Sequence, residues 1–165
     1  MVINSDIMLK GSSWNRTIEA LSCIFKSKPH YMIYLLALSI GIMYDQRAKE
    51  LIADPNDDTK SIPRAVIRNQ DQDRFGIMYE AAILTTATEN LTEEERLSKA
   101  YDEKTEDREK WAFLMEFANF GVTKLESLIG ETPLESMENI KNFLNNSVEG
   151  KNLDIDGLPD DLLLG

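Results

Sequence analysis

Pro29 and Asp45 bracket the run that most constrains this chain, HYMIYLLALSIGIM from His30 to Met43, which holds no acidic or basic side chain apart from His30. Ser27 is placed to cap a helix there, and Pro29 suits a first turn, where a missing N–H leaves nothing unpaired. Tyr31, Tyr34, Leu35, Leu38 and Ile42 recur at intervals of three and four, the period of one helix face. Met32, Leu36, Ile40 and Met43 fill much of the opposite side, so the spacing predicts a helix buried nearly all round. A membrane span needs about 20 apolar residues. This run is shorter and is closed at both ends, and no basic N-terminus leads directly into it, so a core helix is expected and not a span or a signal peptide.

The rest of the chain must supply a core around that helix. A length of 165 residues allows one domain with a sizeable interior. Cys23 is the single cysteine and His30 the single histidine, which excludes an internal disulfide and the usual Cys/His zinc site and fits a reducing, cytoplasmic setting. The net charge of −11 is uneven: residues 1–88 hold ten basic and ten acidic side chains, and residues 89–165 hold eight and nineteen. The second half therefore repels phosphate backbones, and any direct nucleic-acid contact falls to the first.

In chain order, Val2, Ile3, Ile7 and Leu9 suit a short edge strand or simple packing, and a first helix is expected from about Trp14 to Phe25. Cys23, beside Ile24, is expected as a buried small hydrophobe. Tyr44 to Ile52 continues the central helix or adds a short turn, and residues 54–58 are a loop by turn chemistry. The β-branched Val66 and Ile67 favour an extended SIPRAVIR, Ser61–Arg68, with Pro63 at its edge or start. A helix from near Asn69–Asp73 to Asn90 would open on an Asn69/Gln72 capping box and bury Phe75, Met78, Tyr79, Ala82 and Thr86. Thr92 and Glu95 form a stronger capping box for an acidic helix from Glu93 to about Asp102.

The next helix, about Glu106–Ile129 with Thr105 as cap and Gly130 as stop, carries two apolar stripes. Trp111, Leu114, Met115, Ala118, Val122, Leu125 and Ile129 form one; Phe113, Phe117, Phe120 and Leu128 form the other. At about 100° per residue they merge into an arc of roughly 220°. Such a helix must meet neighbours on two sides of its own fold, or meet a partner. Thr132, Pro133 and Glu135 then open a last helix with Leu134, Met137, Lys141 and Leu144 on one face and Ile140 and Phe143 alongside, ending near Asn146.

Residues 147–165 differ in kind. Leu153, Ile155, Leu158, Leu162, Leu163 and Leu164 alternate with Asp154, Asp156, Asp160 and Asp161. This pattern marks a segment that docks on a basic, apolar groove, or else packs on its own domain or frays. Asn152, Asp154, Asp156, Gly157 and Asp160 match part of a calcium-loop pattern, but Leu163 stands where the bidentate Glu belongs. Lys60, Arg64, Arg68 and Arg74 form a small basic strip suited to phosphate contact or to pairing with the chain's own acids. No phosphate-loop, dinucleotide or nucleophile-elbow motif occurs, and no catalytic residue, cofactor or metal is assigned.

The order FKSKPHYMIYLLALSIG (Phe25–Gly41), SIPRAVIR (Ser61–Arg68), FGIMYEAAILT (Phe75–Thr85) and FANFGVTKLESLIG (Phe117–Gly130) resembles small bacterial proteins encoded beside DNA phosphorothioation (Dnd-type) defence systems. The resemblance lies in apolar spacing and brings no active-site residues. It implies an accessory subunit that regulates a larger DNA-processing ATPase or nuclease.

The expectation is thus a mainly α domain, residues 1–146, of five to six helices with at most one short extended element, followed by an acidic-hydrophobic tail, residues 147–165. The expected function is that of a non-catalytic adaptor in a phosphorothioation-type anti-phage complex. Its partner surfaces would be Phe113, Phe117 and Phe120 together with Leu153, Ile155, Leu158, Leu162 and Leu163. The alternative is an acidic DNA mimic that blocks a nucleic-acid enzyme.

Overall fold

The computed structural model describes residues 5–71, 73–87, 90–102 and 104–148. The chain is mainly helical, with seven helices and one two-stranded antiparallel sheet among the described residues. Strand β1 (Ile7–Leu9) is followed by α1 (Ser12–Leu21) and the central α2 (Pro29–Met43). Strand β2 (Lys60–Ile62) leads into α3 (Arg64–Gln70), α4 (Arg74–Thr85), α5 (Glu93–Ala100), α6 (Asp107–Glu126) and α7 (Pro133–Val148). The strands pair Ile7 with Ile62 and Leu9 with Lys60, burying Ile7, Leu9 and Ile62. No helix among the described residues is long and apolar enough to cross a membrane.

Helix α2 lies at the centre and packs most extensively on α6. The two approach so closely that their backbones touch. A Cβ added at Gly121 would overlap the Ala37 carbonyl, and one at Gly41 would overlap the Phe117 carbonyl. Small residues at a crossing remove the side-chain layer that otherwise sets the separation between helix axes. Beside the crossing lies an aromatic layer. Tyr34 stacks between Trp14 of α1 (6.1 Å, 14°) and Trp111 of α6 (5.3 Å, 22°), and Phe75 of α4 meets Trp111 edge-on at 4.7 Å. Four helices converge on this layer, and Trp14, Tyr34 and Phe75 are fully buried there.

The Tyr34 hydroxyl is buried in that layer without a hydrogen-bond partner among the described residues, and burial raises its pKa well above the usual phenol value. Leaving a buried hydroxyl unpaired is unfavourable by about 1–3 kcal/mol. Tyr34→Phe is therefore expected to raise stability by about 1 kcal/mol in urea unfolding. A comparable loss would show that the hydroxyl makes a hydrogen bond in solution.

A polar node ties irregular chain to this core. The Asn119 side chain accepts from Trp14 Nε1 at 3.0 Å and donates to the Ala48 carbonyl at 3.1 Å. Ala48 N–H in turn donates to the Glu116 carbonyl at 2.9 Å. Residues following α2 thus run along α6 and neither extend α2 nor form a second helical turn.

Several local expectations change. SIPRAVIR is not extended throughout: the strand stops at Ile62, and Arg64–Gln70 is helical. Pro63 (φ −60, ψ 135) occupies the N-cap position, and the Asp6 carboxylate accepts from Arg64 N–H at 2.9 Å, satisfying a free helix donor from a distant segment. Burial of Ile67 overrides the weak β preference of Val66 and Ile67. Lys28, in the left-handed region, takes the N-cap of α2 that Ser27 was expected to fill. Asp73 takes the N-cap of α4, with Asn69 inside α3, so the proposed Asn69 cap is not formed. Thr105 donates to Asp102 and leaves the N-cap of α6 to Glu106. The Thr92/Glu95 capping box is present as expected. Helix α6 stops at Glu126, and Gly130 is not left-handed. Cys23, after the end of α1, is exposed and donates to the Ala20 carbonyl, where a buried residue was expected.

Candidate docking groove

Helix α2 is buried on most of its surface, but not nearly all round. Met32 and Ser39 are exposed and Leu35 and Leu36 half-buried, along one open side. Opposite this side runs α7. Ile140 is its buried apolar residue and Phe143 stacks on Tyr44 at 6.3 Å, whereas Leu134, Met137 and Leu144 face outward. The N-terminus of α7 is fastened by Thr132 Oγ1 accepting from Glu135 N–H and by Gly130 N–H donating to Ser136 Oγ. Farther along, Asn139 donates to the Leu128 carbonyl. One edge of α7 is thus held against the body while the other stands off.

The space between is a groove of about 460 Å³. Met32, Leu35 and Leu36 of α2 form one wall, Met137, Ile140 and Leu144 of α7 the other, and Ile24 and Phe25 also line it. Only Ser39, Lys141 and Asn145 among the lining residues carry polar side chains. Met32, Met137 and Leu144 remain 40%, 47% and 39% exposed, so the groove presents large apolar side chains that a helical fold ordinarily closes over. A second concavity of about 740 Å³ between β1 and α6 is lined by Asp6, Lys10, Asp107 and Arg108 around Trp111 and Met115. It offers mixed charge and no convergent set of groups.

The aromatic residues expected to meet a partner are taken up differently. Phe117 is fully buried, so it is part of the core and not a partner surface. Phe113 is half-buried against Tyr79 (5.6 Å) beneath Arg47 and Lys99. Phe120 packs on Tyr44 (6.0 Å) beneath Lys124. The wide arc of α6 is closed by the protein's own helices and by cations lying over the ring faces. Leu153, Ile155, Leu158, Leu162 and Leu163, and the calcium-like pattern from Asn152, lie outside the described residues.

The basic strip is divided among three elements. Lys60 is half-buried on β2 and pairs with Asp58 at 3.6 Å. Arg64 and Arg68 are exposed one turn apart on α3, and Arg74 opens α4 beside Asp71 and Tyr31. Burial raises the Asp71 pKa above the usual carboxylate value, although its carboxylate accepts from Phe75 N–H at 3.3 Å. Acids therefore stand among these bases. His30 Nδ1 lies 2.7 Å from the Ser61 carbonyl, joining α2 to β2, and the Cys23 thiol donates to the Ala20 carbonyl, so each engages a backbone oxygen. Among the described residues no group of three or more His, Cys, Asp or Glu side chains is arranged to hold a metal.

The groove escaped the sequence reading because its walls are far apart in the chain. The available signal was Met137, Ile140 and Leu144 at helical spacing on the last helix. Fold and groove together define a small, mainly helical protein with an apolar groove between two helices. No protein-family model, no curated protein and no solved structure matches the chain.

Proposed function

We propose that this protein is a non-catalytic adaptor that works by protein–protein contact, holding an apolar segment of a larger subunit in the α2–α7 groove. The observation that carries this reading is the pair of facing helix surfaces, with Met32 on one and Met137 and Leu144 on the other left exposed. Amphipathic segments laid into apolar grooves between helices are a common mode of recognition. The setting follows from the sequence resemblance: a phosphorothioation-linked anti-phage complex, with a DNA-processing ATPase or nuclease as the larger subunit.

The test is affinity capture of the full chain from the cells that make it, at moderate and raised salt, beside the double variant Met137→Asp, Leu144→Asp. Ile52→Asp, at a side chain 90% exposed and away from the groove, is the control. Desolvating a carboxylate costs several kcal/mol, so capture of the large subunit by the double variant is expected to fall roughly a hundredfold and that by the control to hold. Equal capture by all three removes the groove from the mechanism. Capture that collapses with salt regardless of the groove variant favours the DNA-mimic reading, because exposed charges are screened and apolar contacts are not.

A further inference from the structure

We propose that in the free protein residues 149–165 occupy the α2–α7 groove, so that the chain's own tail and the partner compete for one surface. This rests on the groove being the docking site argued above.

Three observations single out this occupant. The first is position. Helix α7 runs to Val148, and its last groove-lining residues are Leu144 and Asn145, so the tail is joined to the helix within about one turn of the groove. The second is reach. The α7 wall from Met137 to Leu144 is about 10 Å long at the helical rise, whereas residues 149–165 can span on the order of 50 Å when extended. The tail can therefore turn back and traverse the groove with chain to spare. The third is complementarity. Leu153, Ile155, Leu158, Leu162, Leu163 and Leu164 match an apolar lining. Among the described residues the one charged residue in that lining is Lys141, and exposed Lys26 and Lys28 follow the lining residue Phe25 in the chain, opposite in sign to Asp154, Asp156, Asp160 and Asp161. Tethering adds to the match, because a short linker presents its segment at an effective concentration in the millimolar range. A separate partner must displace it, which makes the tail a built-in brake on adaptor binding.

Cys23, the single cysteine, is exposed and adjoins Ile24 and Phe25 of the groove. A nitroxide attached to it in the isotope-labelled full chain reports on whatever lies there. Backbone amide signals of residues 153–158 and 160–164 are expected to be attenuated several-fold relative to the reduced label, and to recover in the variant Leu158→Asp, Leu162→Asp, which leaves the described residues unchanged. Unattenuated tail signals, or attenuation equal in the variant, overturn the proposal. So does attenuation carried from a labelled copy to an isotope-labelled copy without nitroxide, since the occupant would then be a second molecule. The tail variant is also expected to capture the partner several-fold better. If the tail signals are unaffected while Met137→Asp, Leu144→Asp still abolishes capture, the adaptor reading survives and the brake does not. If the tail is attenuated but groove charges leave capture unchanged, no partner competes for the groove, and the adaptor reading and the brake both fall.

Discussion

Gly121→Ala is expected to destabilise the protein by about 3 kcal/mol or more, the upper part of the range for overpacked interiors. The reason is the nature of the obstacle. The added methyl meets the Ala37 backbone carbonyl, with the Gly41 amide nitrogen 3.0 Å away, and neither can move aside as a side chain does. Relief requires α2 and α6 to separate, which loosens the whole interface along which Leu38, Leu114, Ala118 and Val122 are buried. For a domain of this size the melting temperature should fall by about 6–12 °C. Gly76→Ala is the matched control. There the three atoms nearest the new methyl all belong to the Asp73 side chain, which can rotate, and alanine is favoured over glycine in a helix by up to about 1 kcal/mol. Urea unfolding of both variants decides the point. A loss below about 1 kcal/mol for Gly121→Ala would mean that the helices do not cross in backbone contact.

Asn119→Leu is expected to be almost as damaging, at about 2–3 kcal/mol, although it places a hydrophobic side chain of similar size in a buried position. It strips the acceptor from Trp14 Nε1 in a fully buried ring and the donor from the Ala48 carbonyl. Trp14 has no water to turn to, so its desolvation is uncompensated. Ala48 is only half-buried and can recover part of its loss from solvent. Hydrogen exchange should rise at the Ala48 amide, whose bond to the Glu116 carbonyl runs alongside the lost one. A double-mutant cycle with Trp14→Phe isolates the shared bond, and the two changes together should disturb stability less than their sum. Strict additivity would show that the Trp14–Asn119 hydrogen bond contributes nothing.

Both positions illustrate what a sequence conceals. Gly121 and Asn119 sit inside the apolar arc of α6 and read there as interruptions, a helix-weakening glycine and a polar residue on the wrong face. Each acquires its meaning from a residue remote in the chain, Ala37 in one case and Trp14 in the other. The same holds for Asp6, which caps α3 from just before the first strand and lets Val66 and Ile67 be helical against their local preference.

By itself the sequence determined what is settled within one or two helical turns. The central helix from Pro29 to Met43, the capping box of Thr92 and Glu95, and the helix start at Thr132 and Pro133 all follow from groups within about four residues of one another. The mainly α class follows from the same short-range signals, and so does the buried face of α4. Tertiary structure alone decided which faces meet. It closed the broad aromatic arc of α6 with the chain's own helices, buried Phe117, exposed Cys23, and turned α7 so that Ile140 is covered while Met137 and Leu144 are not. An apolar periodicity states that a helix has a face to bury. What covers that face depends on the crossing of α2 and α6 at two glycines and on the line α7 takes past them, which are properties of surfaces brought together from opposite ends of the chain.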